Sequence, residues 1–188
     1  MNMEQKVIQR NMWNTAGKAG LALGFLSTAY LFITQWIGMA GMPAFPSMLI
    51  NLLLWAVKFG GYIWLMLFFM KKFAADNPEA DNSDTFKLGM AMALLSALVY
   101  SAFSFANVAF LYPDLFTEQM DTVMQQMAPM LDSNTAAEMD RTMQNLPQIT
   151  FFSNLIYCFI FGTILSYILS RNIPKKDPFA DYKPEEQE

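Results

Sequence analysis

The sequence predicts an all-α, polytopic membrane protein. Four transmembrane helices place both termini in the cytoplasm, and an extracytoplasmic helical hairpin joins the third helix to the fourth. Three observations predict this class. Of the 188 residues, 54% are hydrophobic and 15% charged, against roughly 25% charged in soluble domains. The apolar residues gather in four runs, each at least about the 20 residues that cross a hydrocarbon core of about 30 Å. Basic residues flank alternate ends of these runs, as the positive-inside rule requires. The mean hydropathy is only +0.25 because polar segments separate the runs.

The first run, residues 19–39, follows Lys6, Arg10 and Lys18, and Gly20, Gly24 and Thr28 recur along it at every fourth residue. Gly38-Met39-Ala40 has the small-x-small form of a secretory cleavage site. The apolar stretch is nevertheless longer than the roughly 7–15 residues of a signal core, so the segment is expected to remain as a span. An uncharged connection, residues 40–46, leads to the second run, 47–70, which ends on Lys71 and Lys72. The third run, 86–111, has Lys87 at its start and a ridge of Gly89, Ala93, Ala97 and Ser101. The fourth, 149–170, carries Gly162, Ser166 and Ser170 and is followed by Arg171, Lys175, Lys176 and Lys183. Small-xxx-small ridges let helix backbones approach closely in lipid. They are expected to pack within the chain; a second protomer is the other surface that they fit.

Residues 112–148 hold one arginine against Asp114, Glu118, Asp121, Asp132, Glu138 and Asp140, which marks them as the outer segment. Leu115, Met120, Val123, Met124, Met127, Met130 and Leu131 form an apolar stripe at helical spacing. Ser133 and Asn134 offer a cap and restart, after which Ala136, Met139, Met143 and Leu146 line a second face. Residues 1–172 therefore read as one transmembrane domain with 112–148 as its outer insertion. The charged, proline-bearing residues 173–188 read as a flexible cytoplasmic tail.

Lys58 breaks the pattern. It lies about eleven residues into its run, about 16 Å from the outer end and near mid-bilayer. No Asp or Glu occurs in any of the runs. A charged lysine at that depth costs on the order of 2.5–3.5 kcal/mol, so it must face the bundle or water, lose its proton, or reach upward. Side chains lean toward the helix N-terminus, here the outer face. In that direction Gln35, Asn51, Asn107 and Asn154 each sit about one turn inside the outer end of their own span, one per helix. Tyr100, Ser101 and Thr28 lie near the depth of Lys58. The expected site is a polar funnel of Lys58, Asn51, Gln35, Asn107, Asn154 and Tyr100, opening outward and holding an anion or a proton. The structural alternative is a snorkelling lysine that fixes helix register. Gly60-Gly61, just below, is the one hint of a broken helix, and it equally permits close packing.

Enzyme chemistry lacks its parts. The chain has no histidine and a single cysteine, Cys158, inside the fourth run. No disulfide or metal cluster can be built from that inventory, and no nucleophile has a base beside it. The outer methionines are the soft ligands of Cu(I) sites, but without His or Cys they read as a plastic apolar face. Met120, Met124, Met127 and Met130 are therefore expected to meet a protein partner, a second copy or the bilayer surface. No cofactor and no nucleic-acid partner are expected.

Taken together, WNTAGKAGLALG, FFMKKFA, SDTFKLGMAMALLSAL, YPDLF and FGTILSYILSRNIPKKDPF resemble the bacterial membrane family named Domain of Unknown Function 4199, seen mainly in Bacteroidetes. In that family a polar turn and Phe-x-x-Gly open the third helix, as Phe86 to Gly89 do here. Its Gly-x-x-x-Ser, followed by basic residues and proline, matches Gly162, Ser166, Lys175 and Lys176. The resemblance implies four transmembrane helices with an outer insertion, and it implies no activity. The expected function is that of a non-catalytic accessory, structural or partner-binding protein of the bacterial inner membrane. The alternative is a small transporter or channel-like protein with a polar site around Lys58.

Overall fold

The computed structural model describes residues 3–127 and 142–173. Every described element is helical: α1 (Met3–Met39), α2 (Ala44–Asp76), α3 (Asn82–Ala106), a π-helical turn (Asn107–Leu111), α4 (Pro113–Met127) and α5 (Leu146–Arg171). Four of these stretches are long and apolar enough to cross a membrane, Gln5–Met39, Ala44–Asp76, Asn82–Leu111 and Leu146–Arg171. The chain is a multi-pass membrane protein on that count.

Local chemistry sets the helix ends. α1 has 37 residues, about 55 Å at about 1.5 Å per residue, so Lys6, Arg10 and Lys18 ride on the same rod that forms the first span. Gly41, at φ 63°, takes the left-handed conformation that lets the chain turn over before Pro43, the residue that precedes α2. Asn77 ends α2 by donating from Nδ2 to Phe73 O at 2.9 Å, and it accepts from Asn11 Nδ2 at 3.0 Å. α3 opens on a reciprocal cap. The Asp84 amide donates to Asp81 Oδ1 at 2.8 Å and the Asp81 amide donates to Asp84 Oδ2 at 3.4 Å, which satisfies two otherwise orphaned donors. Pro147 occupies the first turn of α5, where its missing N–H costs nothing.

α3 forms the middle of the bundle, packed on α1 along one face and on α5 along the other, while α2 lies chiefly against α1. The small-residue ridges make these contacts. A Cβ built on Gly20 would lie 2.6 Å from Leu95 Cβ, and one built on Gly24 would lie 2.6 Å from Val99 Cβ. On the opposite face of α3, Gly89 abuts Ser166 Oγ, and that hydroxyl donates to Phe86 O at 3.0 Å. α2, which has no ridge, instead inserts the bulky Tyr62, Met66, Met70 and Phe73 into the core. The outer surface is apolar, with Phe45, Leu53, Val57, Trp64 and Phe110 exposed, as lipid-facing positions are.

The structure revises several expectations. α2 runs unbroken through Gly60-Gly61, and a Cβ on Gly60 would meet open space, so that dipeptide is neither a break nor a packing notch at Gly60. α5 begins at Leu146, three residues before the expected 149, because Pro147 is a favourable first-turn residue rather than a stop. Ile173, the first residue of the expected tail, is buried against the core. α4 is a helix where the first half of the hairpin between the third and fourth spans is expected. Of its proposed partner only 142–146 fall among the described residues, with 142–144 helical and Leu146 the first residue of α5. Met130, Leu131, Ser133, Asn134, Ala136, Met139 and the tail beyond 173 lie outside them.

Candidate functional site

Lys58 sits on α2, partly buried, with its stem directed toward α1 and α3. Its Nζ lies 4.6 Å from the ring centroid of Tyr30 on α1 and 5.3 Å from that of Tyr100 on α3. Both distances are within the roughly 6 Å over which a ring face attracts a cation. The antiparallel turn explains the first pairing. Tyr30 lies nine residues before the end of α1 at Met39, and Lys58 fourteen past the start of α2 at Ala44. That five-residue offset, about 7 Å, is what a lysine stem leaning toward its helix N-terminus can span. Among the described residues the single ion pair joins Lys87 to Asp84, at 3.3 Å. Lys58 thus has no carboxylate partner there, and two tyrosine rings surround its ammonium.

Lys58 and Tyr100 share a cavity of about 240 Å³ lined also by Ser27, Ser96 and Cys158. Tyr62 and Phe161 close one wall, Tyr62 with its hydroxyl oxygen 3.3 Å from a Cβ built on Gly162. At the rim stand Trp55, 53% exposed, and Tyr157, 71% exposed, on the lipid-facing surface. The cavity lies between α2 and α5, whose backbones come together sparingly because α3 takes most of the packing surface of α5, and Phe59 and Tyr62 of α2 meet Phe161 of α5 at its wall.

The amide layer is a separate arrangement. Asn107 Nδ2 donates to Gln35 Oε1 at 2.8 Å, joining the π turn to α1. The π turn closes around the same residue, with the Tyr112 amide donating to Asn107 O at 3.0 Å. Asn51 reaches only Ser47 Oγ on its own helix, at 3.5 Å, and Asn154 makes no side-chain hydrogen bond among the described residues. Gln35, Asn51, Asn107 and Asn154 are absent from the cavity lining, so the structure brings Lys58 together with Tyr100 and Gln35 together with Asn107, in two places. Thr28 donates to Gly24 O at 2.9 Å, and Ser101 is fully buried in the helix contact. Neither serves Lys58. Gln35 Nε2, Asn51 Oδ1 and Asn107 Oδ1 are buried without a hydrogen-bond partner, each an uncompensated polar atom of about 1–3 kcal/mol.

Tyr30, Ser27 and Cys158 were not legible as site residues. Tyr30 carries a faint signal, since the hairpin register above can be counted from sequence once the turn is fixed. Ser27, one turn from Tyr30 on α1, shares that signal, whereas Cys158 carries none, because its approach depends on how α5 packs across α3. On α4, Met120 and Met124 are half-buried and the helix makes its main contact with the π turn. Met127 belongs to α4, and Met130 lies outside the described residues.

Chemically, the cavity offers one cation and several hydroxyls inside an aromatic lining. Such a set can bind and orient an anion. No curated protein and no solved structure matches the chain. The family model described as "Protein of unknown function (DUF4199)" matches residues 18–171, which include every residue lining the Lys58 cavity, and the chain belongs to that family.

Proposed function

We propose that this chain is a non-catalytic protein of the bacterial cytoplasmic membrane, with both termini inside, which holds a small ligand at Lys58. The orientation rests on charge. Lys6, Arg10 and Lys18 of α1, Lys71 and Lys72 of α2, Lys87 of α3 and Arg171 of α5 share one end of the bundle, and the Asn11–Asn77 hydrogen bond ties α1 to the end of α2 there. Asp114, Glu118 and Asp121 of α4 lie at the other. The ligand reading is carried by one observation, an ammonium caged by Tyr30 and Tyr100 in a side cavity with no carboxylate partner among the described residues. The unbroken course of α2 favours holding a ligand over moving one.

A second reading, an accessory protein that acts through a partner, draws on α4, whose Met120 and Met124 stripe leaves the bundle core untouched. One preparation tests both. The protein is released gently from its own membranes, and its native mass and everything bound to it are identified. A small molecule present in the wild type and missing from Lys58→Leu supports the ligand reading. A stoichiometric second polypeptide that survives Lys58→Leu and is lost from Met120→Asp/Met124→Asp supports the partner reading instead.

A further inference from the structure

We infer that the Lys58 cavity takes the carboxylate head of a single-chain amphiphile, which enters sideways from the lipid between Trp55 and Tyr157 while its tail stays among the lipid chains. This rests on the reading of the cavity as a ligand site, and it names the ligand class from three properties of the walls.

The first is polarity as a function of depth. Ser27, Ser96 and Tyr62 on the inner walls are 6%, 3% and 9% exposed, whereas the rim is Trp55 and Tyr157 with Phe59 beside them. Buried hydroxyls behind an aromatic lip on the lipid side match a molecule with a polar head and an apolar tail. The second is charge. Lys58 is the one charged side chain in the lining, and Ser27, Ser96, Tyr62, Tyr100 and, at the rim, Tyr157 supply the hydroxyls. One ammonium neutralises one negative charge. A phosphate monoester calls for more cationic donors, of the forked kind that arginine supplies, and none is present. The third is size. At about 240 Å³ the cavity falls below the roughly 300–1,000 Å³ of sites that enclose a drug-sized ligand. It has room for a head and its first carbons, and the remainder must lie along the exposed faces of α2 and α5.

The Tyr30 and Tyr100 rings hold the ammonium but accept no proton from it in a conventional hydrogen bond. A carboxylate brings two oxygen acceptors to those N–H groups at the same depth, and it supplies the counter-charge missing from the lining.

The test uses the full chain in a neutral detergent, with native mass spectrometry reading the number of ligands bound. The probes are palmitate, hexadecanol, hexadecyl phosphate and hexanoate at equal concentration. Expected is one palmitate per chain, favoured over hexadecanol by about tenfold or more, the size of one charge-assisted hydrogen bond. Lys58→Gln, which is one atom shorter, stays polar and loses the charge, is expected to remove that preference. Cys158→Phe, which fills the cavity and leaves Lys58 in place, is expected to abolish binding, so the result does not hinge on one variant folding. Hexadecyl phosphate displacing palmitate would overturn the carboxylate assignment and leave the cavity a ligand site. Hexanoate binding as tightly as palmitate would overturn sideways entry of an amphiphile. Equal palmitate binding by wild type and both variants would place it on the general surface and overturn the proposal. No probe bound, together with no small molecule carried from native membranes, would overturn both this proposal and the ligand reading beneath it.

Discussion

Gly162 of α5 faces Ala93 of α3 so closely that a Cβ built on the glycine lies 2.5 Å from Ala93 Cβ. Both carbons are fixed to helical backbone, so relief requires moving one helix away from the other. Gly162→Ala is expected to destabilise the bundle by about 1–3 kcal/mol, the usual cost of overpacking. Gly60→Ala, where the added carbon meets nothing, is expected to be neutral or to gain up to about 1 kcal/mol from helix propensity. Thermal unfolding of the two variants in one detergent compares them directly. Equal losses at both positions would show that the α3–α5 contact does not govern stability.

Lys58 and Tyr30 should be energetically coupled. A double-mutant cycle of Lys58→Met and Tyr30→Leu is expected to give an interaction of about 0.5–2 kcal/mol. A parallel cycle with Tyr100→Leu should give less, since that ring is farther, 5.3 Å against 4.6 Å. Strict additivity in both cycles would mean that the rings merely neighbour the ammonium without holding it.

The Gln35–Asn107 bond makes a different demand, since each partner already has one orphaned buried atom. Removing one amide by Asn107→Leu strands the other, at a cost of about 0.5–2 kcal/mol by the range known for membrane interiors. Adding Gln35→Leu should recover much of that loss. Should the double variant be no more stable than the single, the π turn at Asn107 rather than the amide pair is what the asparagine supports.

Orientation is measurable with an impermeant thiol reagent on intact cells in a Cys158→Ser background. Asp114→Cys, at the start of α4, is expected to label from outside. Asp76→Cys, at the end of α2, is expected to label only after lysis. The reverse pattern would put the acidic helix in the cytoplasm and invert the proposed topology.

Much of this architecture was legible because lipid imposes simple rules. A span must satisfy its own backbone and bury no charge, so runs of about 20 apolar residues stand out without knowledge of their neighbours. The ridges were legible for a related reason. Gly20, Gly24, Gly89 and Gly162 are informative wherever close approach is the main source of helix affinity, and each meets its neighbour within the chain. The amide layer misled. Similar depth in four helices is one coordinate of three: Asn107 bonds to Gln35, whereas Asn51 bonds to Ser47 on its own helix and Asn154 makes no side-chain hydrogen bond among the described residues.

The sequence by itself determined the number of spans, the small-residue faces and the isolation of Lys58 from any carboxylate within the runs, because these follow from composition along one dimension. The tertiary structure alone decided that Tyr30 and Tyr100 cage the ammonium, that Ser27, Ser96 and Cys158 join it around one cavity, and that the cavity lies between α2 and α5. Those contacts depend on the rotation and crossing of each helix. For α5 they follow from the packing of Gly89 on Ser166 and Gly162 on Ala93, which holds it to α3, while Phe59 and Tyr62 of α2 meet Phe161 beside that seam.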